Sequence, residues 1–367
     1  MENNNIVWVG MDTDAKKNHV ALYRGWEKDP ATEFEAGMDG KGIQKLIERL
    51  KREQGEVRCV YEAGPCGYEL YRKLRKAGLH CDVIAPSLTP SKPSDRVKTN
   101  RRDAQNLARY YRSGDLTVIE VPDEKQQALR DLTRAREDVR EDLTCRQHRL
   151  NRFLVRQGLH YQDGDRWTLK HWAWIRKIRC DDENAQMVLD ESIRAVEQSQ
   201  EQLKSFDAKL EENAQKPEYA KKVGRYATLR GVKTVTALTI VAEVGDMRRY
   251  ETAPQFMAST GLVPSEHSTG DHERRGKITK AGNAHLRRVL VEAAWHYRHR
   301  ANSGQTIKKR RKGQSAALVS IAERAEQRLN RRFRRMVDRY NKKPVIAAVA
   351  VARELAGFIW AIGRIEK

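Results

Sequence analysis

Three acidic residues lie where predicted strands end or where a predicted helix begins. Asp12 ends the apolar run NIVWVGMD, Glu62 ends the run EVRCVYE, and Asp103 lies near the start of a helix predicted from NRRDAQNLARYY. Because strands of an α/β sheet end at a common edge, acids that are far apart in the chain can converge there. Converging carboxylates need a cation among them, and Mg²⁺ prefers hard oxygen ligands. The pattern therefore predicts a magnesium site suited to phosphodiester chemistry.

The alternative is that each acid is an exposed cap at the end of its element, because most acidic residues lie at the surface. Three acids at such transitions, in a chain with 71 Lys and Arg against 50 Asp and Glu, favour the metal site. Asp14 and Asp95 lie nearby in the sequence and are alternative metal ligands. The cations around Asp103, among them Arg101 and Arg102, are predicted to hold nucleic acid beside the acids through phosphate contacts.

The elements that position these acids alternate between strand and helix over residues 1–121. Residues 41–52 and 68–77 have the apolar spacing of helices. Strands are predicted from the runs NIVWVGMD, HVALYRG, EVRCVYEAG, HCDVIAP and LTVIEVPD. Strands separated by helices of this size predict an α/β domain with a mixed sheet.

Residues 122–216 follow a different pattern. Apolar residues recur at helical intervals over residues 124–159 and again over residues 193–210. Two long, charged amphipathic helices predict an antiparallel hairpin or an intermolecular coiled coil. The joining segment, DRWTLKHWAWIRKIR, contains three tryptophans among five basic residues. These rings are predicted either to stack on unpaired bases or to dock the hairpin onto a neighbouring domain.

Residues 217–367 form the third predicted domain, which is largely helical. The segment LRGVKTVTALTIVAEVGD resembles a helix–hairpin–helix in which Gly231 turns into a helix that offers its amides to a phosphate. An ordinary core helix is the alternative. A glycine-rich basic loop, GLVPSEHSTGDHERRGKITKAGN, follows. Further along, LNRRFRRMVDRY contains five arginines on a short helical element, which favours phosphate contact.

The composition favours a polyanionic partner. The net charge is +21, and residues 271–367 contain 25 Lys and Arg against 8 Asp and Glu, a net +17. Nucleic acid is the commonest partner of such a field. The apolar stretch 344–363 carries Arg353 and Glu354 and is predicted to be a buried helix, not a membrane span. Five scattered cysteines without a CxxC pair predict reduced thiols in a cytosolic protein and no zinc site.

Four separated segments resemble one family in order and spacing, over nearly the whole chain. They are VGMDTDAKKNHVALY, VYEAGPCGYELYRKL, KTNRRDAQNLARYYRSGDL and GLVPSEHSTGDHERRGKITKAGNAHLRRVLVEAAW. They are similar to the DEDD-type insertion-sequence transposases related to the Piv invertases, recombinases that are guided by a structured bridge RNA. The resemblance implies a RuvC-like domain of RNase H fold at residues 1–121. It also implies a helical coiled-coil dimerisation region at residues 122–216 and a transposase domain with a nucleophilic serine at residues 217–367.

The resemblance also implies which acids bind metal. Carried over position by position, Asp12, Glu62 and Asp103 match the first, second and fourth acids of the family. The third acid is replaced by Asn100, whose amide oxygen can still ligate Mg²⁺, or Mn²⁺ as the alternative ion, but carries no negative charge. We therefore expect weaker metal binding or a single tightly held ion.

The family places its nucleophile in the loop that reads HSTG here. Counting back from TKAGN selects Ser268, and counting from Pro264 selects Thr269. We choose Ser268, with Thr269 as the alternative, because a primary hydroxyl is less crowded than a β-branched one. A hydroxyl also needs a base or a nearby cation to become nucleophilic, and without the resemblance HSTG is an ordinary turn. The basic residues predicted to hold the cut strand are Arg274, Arg275, Lys277 and Lys280.

The expected function is transposition through a covalent serine–DNA link, with the hydroxyl brought beside the acidic metal site. The implied partners are DNA of the element ends and target, a structured guide RNA, and further copies of the chain in a dimer or tetramer. The expected location is the bacterial cytoplasm, on the nucleoid and away from membranes. Two alternatives are a junction-resolving nuclease in which water attacks, and a nucleic-acid scaffold in which Asn100 leaves the acidic site idle.

Overall fold

The apolar runs of the first third of the chain form one six-stranded sheet. The computed structural model describes residues 5–86, 89–90, 99–266, 268–269, 274–302 and 304–365. The chain divides into two units, Met1–Pro122 and Asp123–Lys367, each with its own hydrophobic core. The boundary predicted between residues 216 and 217 therefore falls inside the second unit.

The sheet of the first unit is mixed. Its strands are β1 (Ile6–Thr13), β2 (Lys17–Arg24), β3 (Thr32–Gly37), β4 (Glu56–Glu62), β5 (His80–Ile84) and β6 (Val118–Ile119). Their order across the sheet is β3-β2-β1-β4-β5-β6. The central strands β1, β4 and β5 are parallel, whereas β2, β3 and β6 are each antiparallel to their neighbours. This arrangement confirms the predicted α/β class with a mixed sheet, and it is consistent with an RNase H-like domain.

Three helices cover the two faces of this sheet. They are α1 (Gly40–Leu50), α2 (Glu69–Lys76) and α3 (Asn100–Ser113). Side chains alternate along β1, so Val9 and Met11 pack into the core with α1 and α2. Trp8, on the opposite face, packs in a cluster with Ala104 and Ala108 of α3. Alternate side chains of β1 therefore face opposite helices, and α3 lies on the face of the sheet opposite to α1 and α2.

The second unit begins with a long antiparallel helical hairpin. Its two helices are α4 (Glu124–Arg156) and α6 (Glu183–Gln215). Arg136 Nε donates to Asp207 Oδ1 at 2.8 Å, and Arg146 Nη1 donates to the Ala195 carbonyl oxygen at 3.0 Å. As residue numbers rise along α4, the residue numbers of their partners in α6 fall, so the two helices are antiparallel. Within one chain, the hairpin alternative is therefore the observed one.

The tryptophan-rich segment closes the far end of this hairpin. It contains the short helix α5 (Leu169–Ile175), capped by Thr168, whose side-chain oxygen accepts from the His171 backbone N–H. Trp172 is buried in a cluster with Leu150 of α4 and Leu189 of α6. The Trp172 ring therefore packs inside its own hairpin, which is neither of the two arrangements that the sequence predicts for it.

The remaining helices of the second unit surround one apolar core. They are α7 (Pro217–Tyr226), α8 (Thr234–Val244), α9 (Ala253–Ser259), α10 (Ala284–Ala294), α11 (Gln305–Arg311), α12 (Ala316–Arg334) and α13 (Pro344–Gly363), with the hairpin strands β7 (Pro264–Glu266) and β8 (Arg275–Ile278). By length and composition alone, α13 could cross a membrane. Its residues Val351, Leu355 and Ile359 are fully buried in the core cluster, as predicted for a core helix.

The turn between α7 and α8 depends on a glycine. Gly231 has φ +80°, in the left-handed region that glycine adopts without a steric penalty. A Cβ atom at this position would also be 2.3 Å from the Ala293 carbonyl oxygen. In the segment predicted to resemble a helix–hairpin–helix, a tight turn at Gly231 packs against α10. The helix that follows this turn, α8, is buried in the core, as the alternative interpretation predicts.

Candidate functional site

The carboxyl ends of β1 and β4 bring Asp12 and Glu62 side by side. The two strands are parallel, and Met11 lies opposite Tyr61 in their register. Asp12 and Glu62 are the next residues on each strand, so their backbones lie about 5 Å apart, the spacing of neighbouring strands. Because side chains alternate along a strand, both acids belong to the face opposite to Met11 and Tyr61, which pack into the core with α1 and α2.

Helix α3 lies on that same face and runs antiparallel to β1. Trp8 packs edge-on against Tyr111 near the end of the helix, with ring centres 5.3 Å apart. Two residues further along β1, a Cβ atom built on Gly10 would be 2.1 Å from the Ala104 carbonyl oxygen. Asp12 follows after two more residues on the same face. This progression places Asp12 beside the first turn of α3.

Glu62 and Asp103 reach the same edge from β4 and from α3. Val60, two residues before Glu62, packs with Leu107, which is one helical turn after Asp103. Glu62 and Asp103 are both half-buried. The Glu62 carboxylate accepts a hydrogen bond from Thr89 Oγ1 at 2.8 Å. The backbone of the first unit therefore gathers the three predicted acids at one edge of the sheet.

The start of α3 is determined by its local sequence. Thr99 caps the helix, and its side-chain oxygen accepts from the Arg102 backbone N–H at 3.3 Å, a contact worth about 1 kcal/mol. Asp103 lies in the first turn, where the helix macrodipole favours a carboxylate. Asn100 is exposed and, three residues before Asp103, shares its side of the helix.

The side chains at this edge offer carboxylate and amide oxygens, which are the kinds of ligand that a divalent cation such as Mg²⁺ binds. Among the residues that the structure describes, however, no group of three or more His, Cys, Asp or Glu side chains is arranged to hold a metal ion. The backbone thus positions the predicted ligands, and the carboxylates need rotamer changes to converge on an ion. Of the two alternative ligands, Asp14 is exposed and accepts the Ala15 N–H at 2.6 Å, and Asp95 lies outside the described residues.

Arg101, one of the two predicted cations beside Asp103, pairs with an acid of its own unit. Arg101 Nε donates to Glu33 Oε2 of β3 at 2.9 Å, and this hydrogen bond holds the pKa of the Glu33 carboxyl below its ordinary value. A guanidinium held by a carboxylate of its own unit is a weaker phosphate ligand than the sequence suggests. Arg102 is exposed on the first turn of α3.

The predicted nucleophile lies on the hairpin of β7 and β8 in the second unit. The two strands are antiparallel, with Glu266 opposite Arg275. Ser268 Oγ donates to Glu266 Oε1 at 2.9 Å and accepts the Arg274 backbone N–H at 3.1 Å. Thr269 is exposed on the same loop. The hydroxyl of Ser268 therefore has a carboxylate acceptor, and Glu266 is a functional candidate that the sequence analysis missed.

The basic residues of this loop face solvent. Arg274, Arg275, Lys277 and Lys280 are all exposed, and Arg275 Nε lies 3.8 Å from Glu266 Oε2. Lys280 has φ +56°, a left-handed conformation that is uncommon for a non-glycine residue and often marks a functional site. Phosphates can therefore reach these exposed side chains on the loop that carries Ser268.

A buried carboxylate ties the same loop to the rest of the second unit. Glu243 of α8 is fully buried and accepts from Arg134 Nε at 2.8 Å and from Asn283 Nδ2 at 2.7 Å. Asn283 also caps α10 by accepting the Leu286 N–H at 2.9 Å. Burial alone would raise the pKa of Glu243, but the hydrogen bonds from Arg134 and Asn283 hold it below its ordinary value. A lone acid in the apolar run of α8 is the sequence signal that could have identified it.

A second buried acid joins α4 to α10. Glu137 accepts from His285 Nδ1 at 2.7 Å and from Arg288 Nε. Burial would raise the pKa of Glu137, yet these two partners lower it below its ordinary value. Glu137 and Glu243 together fix α10, and with it the end of the Ser268 loop, against the long helix α4.

Comparison with known proteins assigns this architecture to a class. Residues 9–157 match the transposase family DEDD_Tnp_IS110, and residues 225–312 match the Transposase IS116/IS110/IS902 family. The first match contains the acidic edge and the second contains the Ser268 loop. An α/β unit with an acidic edge, followed by a basic helical unit, is thus the organisation of an insertion-sequence transposase.

The relatives extend over nearly the whole chain. The chain is 39% identical to the protein y4qE of Sinorhizobium fredii, whose name describes it as a transposase, over 97% of this chain and 88% of the relative. It is 32% identical to the transposase for insertion sequence element IS1533 of Leptospira borgpetersenii, over 92% and 98%. The chain belongs to the IS110/IS116/IS902 family of insertion-sequence transposases.

Proposed function

We propose that this transposase cuts and rejoins DNA through a covalent bond between Ser268 and a DNA phosphate. The observation that carries the proposal is the hydrogen bond from Ser268 Oγ to Glu266 Oε1 at 2.9 Å. A serine hydroxyl is a weak nucleophile until a neighbouring base accepts its proton, and a carboxylate at hydrogen-bond distance is such a base. The same observation favours Ser268 over Thr269.

The step balances with groups of this chain. Glu266 accepts the Ser268 proton as Oγ forms a bond to phosphorus, and the bond from phosphorus to the leaving strand breaks. The leaving oxygen takes a proton from solvent. Arg274 and Lys277, exposed on the same hairpin, hold the phosphates on either side of the cut through contacts that position the strand without reading its sequence. The hydroxyl of a second strand then attacks the serine phosphodiester, and the bond between phosphorus and Ser268 Oγ breaks as the new phosphorus–oxygen bond forms. Glu266 returns its proton to Oγ, and the proton of the attacking hydroxyl goes to solvent.

The acidic edge has a supporting role in this proposal. Asp12, Glu62 and Asp103, with the amide oxygen of Asn100, would hold a divalent cation, which we propose is Mg²⁺. A bound cation of this kind neutralises charge on phosphate oxygens during phosphodiester exchange. The chain's own contribution is the placement of four oxygen donors at the ends of β1 and β4 and on the first turn of α3.

We also propose that target choice belongs largely to a structured guide RNA and that the enzyme acts as a dimer or tetramer on the bacterial nucleoid. The resemblance in the four sequence segments supports this proposal, and so does the net charge of +21. A protein with such a charge binds polyanions with little sequence preference, so a pairing strand is a natural source of specificity. Removing the RNA should then abolish target selection but leave DNA binding.

The test is a denaturing gel of labelled element-end DNA incubated with the protein, Mg²⁺ and the flanking RNA. Wild type and Thr269→Ala should both retain protein covalently on one DNA end, whereas Ser268→Ala should not. If Thr269→Ala removes the adduct and Ser268→Ala leaves it, Thr269 is the nucleophile and the assignment of Ser268 is wrong.

A metal-dependent nuclease is the second candidate, because the acidic edge lies within the DEDD family match. In that case water attacks, and Ser268 only caps the loop by accepting the Arg274 N–H. The same gel separates the two candidates. A nuclease releases two free DNA ends in every variant with Asp103 intact, and no protein remains attached to either end.

A further inference from the structure

Helix α12 presents a cationic face to solvent. It buries Ala322, Ala325, Leu329 and Phe333 in the core of the second unit. The opposite side and the π-helical turn Arg335–Arg339 that follows are rich in arginine. We call this the arginine surface, and it consists of the exposed residues Arg324, Arg328, Arg331, Arg334, Arg335 and Arg339.

The charge on this surface exceeds what the helix itself needs. Cations in the last turn of a helix stabilise it through the macrodipole, which accounts for Arg331 and Arg334. It does not account for Arg324, which lies more than two turns before the helix end, or for Arg339 beyond it. Like charges this close repel each other, and an anionic ligand would relieve that repulsion.

Two grooves flank the exposed ridge of α12. One, of about 600 Å³, is lined on one side of the helix by Asn330, Arg334 and Arg339, among other residues. The other, of about 550 Å³, is lined by Arg324 and Arg328, among other residues. The residues common to both grooves are Gln327, Arg331 and Arg335. Guanidinium groups hold phosphate oxygens through two parallel hydrogen bonds, so the grooves suit a phosphate chain that follows the ridge.

The acids in these grooves do not cancel the charge. Glu354 lines the second groove and is shared by Arg328 and Arg332, with oxygen-to-nitrogen distances of 2.9 and 3.4 Å. Asp338 lines the first groove. Two carboxylates against the six arginines of the surface leave a strong positive field, and Glu354 holds Arg328 in place at its rim.

An exposed aromatic ring lies at the end of the arginine surface. Tyr340 follows the π-helical turn and is 51% exposed. The guanidinium carbons of Arg335 and Arg339 lie 5.9 and 5.8 Å from the centre of its ring. An open ring beside phosphate-binding cations is the combination that binds single strands, because only an unpaired base can stack on it. A duplex would use the arginines but not the ring.

We propose that the arginine surface and Tyr340 form a binding site for single-stranded DNA. The arginines hold successive phosphates along α12, and Tyr340 stacks on one unpaired base. DNA is the occupant because the family acts on DNA, and strand exchange exposes unpaired strands. The site is separate from the Ser268 loop, and the proposal does not depend on the serine mechanism.

The test uses the full chain and fluorescein-labelled oligothymidine of about 16 nucleotides, the upper site size of a single binding module. Oligouridine and a duplex of the same length form the other arms. Arg331→Ala/Arg335→Ala removes two cations from the centre of the ridge. Lys41→Ala/Lys45→Ala removes two exposed cations from α1 and is the charge-matched control. Tyr340→Ala is compared with Tyr340→Phe, which keeps the ring.

The arginine pair should weaken oligothymidine binding about tenfold or more and lower the salt slope of log K by about 1.4, or 0.7 for each lost single-strand phosphate contact. Tyr340→Ala should weaken single-strand binding by about fivefold or more, with duplex binding unchanged and Tyr340→Phe like wild type. Equal losses in the lysine control, an unaffected Tyr340→Ala, or losses confined to oligouridine would each overturn the proposal.

A second measurement locates the strand independently of affinity. Ultraviolet cross-linking of oligothymidine that contains bromodeoxyuridine should label the peptide with Tyr340, as mapped by mass spectrometry. Labelling should fall in Arg331→Ala/Arg335→Ala and persist in Ser268→Ala. Labelling confined to other peptides would refute the site even if both variants bind weakly, and circular dichroism shows whether each variant is folded.

Discussion

Replacing Glu266 with glutamine tests the chemistry assigned to the Ser268 loop. In the protein with Glu266, Ser268 Oγ lies 2.9 Å from Glu266 Oε1. Glutamine keeps the shape of the side chain and an oxygen that can accept the same hydrogen bond. The change removes the capacity to accept a proton. If Glu266 is the base, Glu266→Gln should bind DNA normally and form the covalent adduct slowly.

The structure sets the size of the effect. A general base contributes about 10²- to 10⁴-fold to a rate. Glu266 is 52% exposed, and Arg275 Nε lies 3.8 Å from its carboxylate. Water can reach a half-exposed carboxylate and accept the Ser268 proton in its place, so we expect a loss near the lower end, about 100-fold, or about 2.7 kcal/mol of activation free energy.

The assay is the single-turnover rate of adduct formation with protein in excess, so that product release does not limit the measurement. Glu251→Gln, an exposed acid of the same unit, is the matched control and should react like wild type. Because Glu266→Gln is an isosteric change at a half-exposed position, it should alter the free energy of unfolding by less than about 0.5 kcal/mol. Thermal melts can check this. A Glu266→Gln rate equal to that of wild type would refute the assignment of Glu266 as the base.

Four further predictions concern the framework and the metal. Glu243→Ala should lower the unfolding free energy by about 3 kcal/mol, because it removes the buried carboxylate that accepts hydrogen bonds from Arg134 and Asn283; urea unfolding measures this. The pKa values of Glu137 and Glu243 are both lowered in the folded state, so their stabilisation is full above the ordinary carboxyl pKa and is lost as the pH falls through the folded values. Melting temperatures between about pH 6 and pH 3 should therefore fall less steeply in Glu137→Gln than in wild type. Gly10→Ala should cost about 1–3 kcal/mol, because its Cβ would lie 2.1 Å from the Ala104 carbonyl oxygen and would displace α3. Removing divalent ions with a chelator, or replacing Asp103 with alanine, should stop cleavage while gel shifts show DNA still bound.

The acidic edge could be predicted because its signals are local. A short apolar run that ends in an acid marks the end of a strand, and Asp12 and Glu62 each end such a run. The start of α3 has a capping threonine three residues before the Arg102 amide that it binds. These features depend on neighbours in the sequence, so sequence reasoning finds them. The sequence analysis did not predict the edge strand β3. Its side chains are mostly half-buried, so its sequence, TEFEAG, contains two glutamates and no apolar run.

What could not be predicted depends on contacts between distant residues. The residues around Arg101 in the sequence do not indicate that it pairs with Glu33, 68 residues earlier in the chain. The role of Glu266 appears only when the β7–β8 hairpin turns its carboxylate towards Ser268. The convergence of carboxylates on an ion also depends on rotamers, which backbone periodicity does not determine.

The proposed metal ligands lie in different structural surroundings. Asp12 and Glu62 lie at the ends of buried strands, Asp103 lies on the first turn of α3, and all three side chains are half-buried. Asn100 is exposed at the first position of α3, and an amide there has nearly the shape of a carboxylate. The fold therefore accepts either side chain at position 100, and the amide brings one less negative charge to a cation than the acid that the resemblance implies.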